Sequence, residues 1–99
     1  MIREYMVRKK PFLQKAIQFT NELTNEELRR WSDDRAFIAN LDREPEPVII
    51  IHTLEGAMRA YIGDYIMQGI NGEVYPVNEK IMLKTYDFVR KSSEVAKVW

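Results

Sequence analysis

Apolar residues in the second half of the chain fall into short runs, and each run stops at a turn-forming pair. "VIIIHTL" is followed by Glu55-Gly56, "AMRAYI" by Gly63-Asp64, and "YIMQ" by a stretch that ends in Asn71-Gly72 ahead of "EVY". Runs rich in β-branched and aromatic residues, separated by glycine turns, predict an antiparallel β-meander with "VIIIHTL" as the central strand. Pro45 and Pro47 interrupt regular structure just before that strand and give it a stiff approach.

The first half follows other periods. In "KKPFLQKAIQFT", Leu13, Ile17 and Phe19 share one side of an extended segment, with Gln14 and Gln18 on the other and Lys15 as the exception on the apolar side. That alternation predicts a half-buried strand. Thr24 and Glu27 then have the spacing of a capping box, and Leu23 and Leu28 that of a hydrophobic staple. They predict a helix from about Asn25 to Asp33, with Leu28 and Trp31 as its inward stripe. Phe37, Ile38 and Leu41 suit either a continued helix or a short edge strand, and the strand is preferred. Beyond Pro76, Asn78 caps a helix over "EKIMLKT", where Val77 and Met82 again have staple spacing. Tyr86 and Phe88 alternate with Asp87 in "YDFVRK", which reads as a last strand, and "SSEVAKVW" as a frayed helix or a docking segment. The expectation is an α+β fold: a small antiparallel sheet with one N-terminal helix and one short C-terminal helix. It forms a single domain over residues 1–99, with a core at about 8–90 and a tail at 91–99.

Charge narrows the range of partners. Fifteen basic and fifteen acidic residues cancel, so there is no global field of the kind that holds or mimics a nucleic-acid backbone. Generic nucleic-acid binding is therefore not expected. With no cysteine in the sequence, disulfides, thiolate zinc sites and cysteine nucleophiles are excluded together, which fits a reducing compartment. "MIREYMVRKKPF" carries charges through its apolar positions and lacks the apolar core of a signal peptide. No stretch approaches the roughly 20 apolar residues that span a bilayer. The expectation is a soluble cytoplasmic protein with no membrane partner.

Catalytic parts are few. His52 is the only histidine, and Thr53 beside it faces the other way if both lie on a strand. Neither an HExxH motif nor an acidic calcium loop occurs, and neither metal nor cofactor is expected. Gly69-x-x-Gly72 has the spacing of a KH-type backbone clamp, but that loop joins two helices and both flanks here read as strands. Asp64 is expected to bond its own turn backbone. What remains is recognition by surface side chains, for which Arg59, Tyr61, Asp64, Tyr65 and Tyr75 are the candidates: they lie on or beside neighbouring strands, where rings and a guanidinium can grip a base, a peptide or a protein. Arg8, Lys9 and Lys10 add a local positive patch ahead of the first strand.

The run from Leu54 to Tyr86 resembles a set of small, mostly uncharacterised phage and prophage proteins. Their C-terminal pattern joins a leucine-glutamate-glycine turn to Gly-Asp-Tyr/Trp-Ile-x-x-Gly-x-x-Gly-Glu-x-Tyr-Pro, then a short helix and Thr-Tyr. The matching residues are Leu54, Glu55 and Gly56, then Gly63, Asp64, Tyr65, Ile66, Gly69, Gly72, Glu73, Tyr75 and Pro76, then Thr85 and Tyr86. The opening "KKPFLQKAIQFT" is similar to the lysine-lysine-proline strand of the same proteins. Where many of them have Cys-Lys-Pro-Asp-Ile-Phe after the proline, this chain has Val77 to Met82, so no role of that cysteine carries over. The resemblance implies a phage context and a fold, not an active site. It leads to the expectation of a non-enzymatic accessory protein in the cytoplasm of a bacterial host. Such a protein would bind a host protein or complex, for example one of the CRISPR or restriction type, and inhibit antiviral defence. The alternative is an oligomeric sponge that holds a nucleotide signal with Arg59 and the tyrosines. An enzyme with a site assembled between subunits around His52 and Asp64 is the third reading. Homo-oligomers are also expected, because a small sheet has exposed edges that Val95, Val98 and Trp99 of a neighbour would cover.

Overall fold

The computed structural model describes residues 1–89 and confirms an α+β fold, but with its strands divided between two sheets. The elements in order are β1 (Lys15–Gln18), α1 (Asn25–Trp31), β2 (Ala36–Ala39), β3 (Val48–Thr53), β4 (Gly56–Ala60), β5 (Tyr65–Gln68), β6 (Val74–Val77) and α2 (Glu79–Thr85). One three-stranded sheet has the order β1-β5-β6 and the other β2-β3-β4, with every neighbour antiparallel.

The expected single meander is thus corrected to two hairpins, β3-β4 and β5-β6, that belong to different sheets. The change occurs at Tyr61–Asp64. There the Asp64 N–H donates to the Tyr61 carbonyl at 2.8 Å, and Gly63 takes φ +98°, a conformation that disfavours any residue with a Cβ. The chain leaves this turn paired to the end of β1: the Gly63 N–H donates to the Phe19 carbonyl and the Phe19 N–H to the Asp64 carbonyl, both at 2.8 Å. Long-range pairing with the N-terminal strand, rather than return alongside β4, sets the direction of β5. Asn71-Gly72 does close a hairpin, through a loop in which Gly72 sits at φ +82° and its N–H donates to the Gly69 carbonyl at 3.0 Å. The Glu73 carboxylate folds back over Gly69 and accepts from the Asn71 N–H at 3.0 Å, occupying the space a Cβ on Gly69 would need. The Gly-x-x-Gly-Glu stretch is accounted for by this hairpin geometry.

Between the inner faces of the two sheets lies the core. Strand alternation sends Ile49 and Ile51 of β3 inward, with Ala60 opposite Ile49 and Ala36 opposite Ile51, and Ile66 and Val74 come from the other sheet. Phe19 and Leu28 complete this buried cluster, and Ile17, Leu23, Trp31, Ile38 and Ile62 pack around it. The capping box of α1 forms as expected: the Thr24 hydroxyl accepts from the Glu27 N–H at 3.1 Å, and the Glu27 carboxylate accepts from the Thr24 N–H at 3.0 Å. The helix stops at Trp31 rather than Asp33, because Asp33 and Asp34 take left-handed φ values of 55° and 61°. Asn25 Oδ1 accepts from the Ile38 N–H at 2.8 Å, so α1 closes the outer edge of β2.

α2 matches its expected span and carries Met82 into a buried position. The last strand expected over "YDFVRK" is corrected for its described part, since residues 86–89 have no strand partner and run past the β1-β5-β6 sheet as coil. Its remaining residues, and the segment "SSEVAKVW", lie outside the described residues. Leu13, expected on the inner side of the first strand, lies before β1 and is exposed.

Candidate binding surface

Each sheet buries one face, so each has an outer face, and the two look away from each other. Ala60 and Ile66 both enter the core. Alternation therefore turns Arg59 and Tyr61 outward from the β2-β3-β4 sheet, and Tyr65 outward from the β1-β5-β6 sheet. Tyr75 stands directly opposite Met67 and shares the outer face of Tyr65. Arg59 with Tyr61 and Tyr65 with Tyr75 are thus brought together as separate groups on opposite sides of the molecule. Asp64 lies in the connection between the sheets, where its Oδ2 accepts from the Tyr61 N–H at 2.8 Å; the carboxylate is engaged by its own turn.

The outer face of the β1-β5-β6 sheet is largely covered. Gln18 donates to the Gly63 carbonyl at 3.1 Å and to the Glu79 carboxylate, at the start of α2, at 2.8 Å. The Tyr65 ring meets Phe88 edge-on, with centroids 5.5 Å apart, and Gln14 donates to the Tyr75 hydroxyl at 3.2 Å. Burial pushes the Tyr86 hydroxyl above its ordinary pKa, and the neighbouring Tyr75 hydroxyl raises it further. Tyr65 and Tyr75 are half-buried parts of this packing. Beside it, Lys9, Phe12, Gln14, Ile70, Glu73 and Tyr75 line a groove of about 180 Å³, below the roughly 300 Å³ at which small-molecule pockets begin.

The outer face of the β2-β3-β4 sheet is open towards β4, although Val48, at the start of β3 on the same face, is buried. His52, Ala57, Arg59 and Tyr61 are exposed, and Phe37 and Ile50 are half-buried. Phe37 pairs with Ile50, and Ile50 with Arg59, which places the three in a row across the sheet. The His52 ring lies against Phe37 with centroids 5.9 Å apart. At the end of the row Arg59 Nη1 is 3.4 Å from Glu44 Oε1 in the β2-β3 loop. This surface ion pair is weak and leaves most of the guanidinium's hydrogen-bonding capacity free. An aromatic ring, an aliphatic side chain, an imidazole, a guanidinium and a phenol on one strand-built surface suit the grip of a protein or peptide. Phe37 and Ile50 are absent from the candidates read from sequence, and His52 enters there only in the enzyme reading. Their signal lies in the alternation of "VIIIHT": once Ile49 and Ile51 are inward, Ile50 and His52 must be outward.

A shallow depression along α1 is lined by Asn25, Glu26, Arg29, Arg30, Asp33 and Asp34. Four of its five charges are paired with one another, Arg29 with Asp34 at 2.9 Å and Arg30 with Glu26 at 2.8 Å, as expected of a solvated helix surface. Among the described residues no group of three or more His, Asp or Glu side chains is placed to hold a metal ion, and no helix is long and apolar enough to cross a membrane.

Compared with known protein families, curated proteins and solved structures, the chain matches none.

Proposed function

We propose that this protein is a non-enzymatic accessory protein of a phage or prophage. In this reading it acts in the cytoplasm of a bacterial host by binding a host protein or protein complex of an antiviral defence system, such as CRISPR or restriction. The observation that carries the reading is the open face of the β2-β3-β4 sheet, where Arg59 and Tyr61 stand beside Phe37, Ile50 and His52. Arginine and aromatic side chains clustered on a rigid strand surface are the groups that dominate protein interfaces. The phage context rests on the resemblance over Leu54 to Tyr86, and the defence target follows from that context.

The test is affinity purification of the tagged chain from a bacterial host infected by phage. One host protein is expected to co-purify in stoichiometric amount, and Arg59→Ala with Tyr61→Ala is expected to release it while the chain stays folded. Recovery of no partner with the unaltered chain would overturn the reading.

A further inference from the structure

Among the described residues, the first eight of the N-terminal arm and the outer edge of β4 have no strand partner. Residues 1–13 are all exposed, including Ile2 at 90%, Met6 at 95% and Val7 at 88%. Apolar side chains so fully in water are not part of the core, and here they fall in one segment without regular secondary structure. The arm is set off from β1 by Pro11 and by a bond from the Phe12 N–H to the Lys10 carbonyl at 2.9 Å; Lys9 and Phe12 still border the groove beside Tyr75, and residues 1–8 lie beyond it.

Among the described residues β4 pairs only with β3. The opposite edge of that sheet is closed, since α1 caps β2 through Asn25, whereas among the described residues no second strand bonds to β4. Met58 lies on this edge strand: it shares the inward face with Ala60, which is fully buried, yet is 44% exposed. An unpaired edge with an exposed apolar side chain is a site for strand addition. Charge favours the same match. The arm ends in Arg8, Lys9 and Lys10, while the β2-β3 loop carries Asp42, Glu44 and Glu46 against Arg43, with Glu44 paired to Arg59 and Asp42 and Glu46 left exposed.

We propose that the arm of one copy adds as a strand to the β4 edge of a second copy, and that the second copy returns its arm in the same way, giving a closed two-fold dimer. Seven arm residues extend roughly 23 Å at about 3.3 Å per residue, enough to run the length of a five-residue edge strand. The added strand widens the open sheet face without covering Arg59 or Tyr61, so the dimer and the proposed partner surface are compatible, and each can fail without the other.

Sedimentation of the purified full chain at high micromolar concentration is expected to give a dimer, and deletion of residues 1–10 a monomer with an unchanged circular dichroism spectrum. The chain has no cysteine, so cross-linking gives an independent readout. A Met6→Cys chain mixed with a Met58→Cys chain is expected to form a disulfide-linked heterodimer on mild oxidation. Met6→Cys mixed with Ile81→Cys, an exposed position on α2, is expected to form little. A monomeric full chain, a dimer that survives loss of the arm, or equal cross-linking to both positions would overturn the proposal.

Discussion

Ser32 is fully buried, and its Oγ accepts from the Ala36 N–H at 3.0 Å. Removing that oxygen leaves a buried donor without a partner, and such a loss costs about 1–3 kcal/mol. Ser32→Ala is therefore expected to lower the free energy of urea unfolding by about that amount, far more than an exposed serine would. Asp33 has the opposite prospect. It occupies the left-handed position at the end of α1, with its N–H directed to the Arg30 carbonyl and the next N–H, from Asp34, to the Arg29 carbonyl at 2.8 Å. This is the helix stop that glycine ordinarily fills. Relief of the side-chain strain outweighs the added freedom of the unfolded chain, so Asp33→Gly is expected to stabilise by a few tenths to about 1 kcal/mol. A thermal melt that moved downward for Asp33→Gly would show that the aspartate side chain contributes something beyond its backbone conformation.

Helices and strands were mostly legible because their signals are local. The Thr24 and Glu27 spacing placed α1, Asn78 placed α2, and β-branched runs placed β3, each through contacts within a few residues. The α1 capping box also has a pH signature. Hydrogen bonds from the Thr24 backbone, then from its hydroxyl, hold the Glu27 carboxyl below the ordinary carboxylate range, with Arg30 adding to the effect. A carboxyl lowered in the folded state contributes stability above its unfolded pKa, and that contribution is lost as pH falls through the folded value. Glu27→Gln keeps the capping geometry and removes the charge. It is expected to be less stable than the unaltered chain at neutral pH, with the difference closing at strongly acidic pH; a gap independent of pH in urea titrations would contradict this origin. The strand expected at Tyr86 failed for the converse reason. Its alternating pattern is real, but a strand needs a neighbour; instead the Tyr86 hydroxyl lies beside that of Tyr75 and the Phe88 ring meets Tyr65 on a face already built.

At the scale of the whole molecule, what the sequence did not disclose was which hairpin joins which sheet. Glycine turns read alike whether the chain returns beside the previous strand or leaves for another sheet, and only the pairing of β5 with β1, nearly fifty residues earlier in the chain, decides it. That decision splits the candidate residues between opposite faces and gives them different physical roles. Tyr75 is half-buried against Met67 and receives a hydrogen bond from Gln14, so Tyr75→Ala removes packing and is expected to lower unfolding free energy by about 1–3 kcal/mol. Arg59 is exposed and makes one surface ion pair, so Arg59→Ala is expected to change stability by no more than about 0.5 kcal/mol. Partner capture should order the two variants the other way: Tyr75→Ala, wherever it remains folded, keeps the host protein, and Arg59→Ala loses it. If both released the partner with their folds intact, a contact surface would have to wrap from one outer face to the other across the two sheets, and a recognition face confined to β2, β3 and β4 would be wrong.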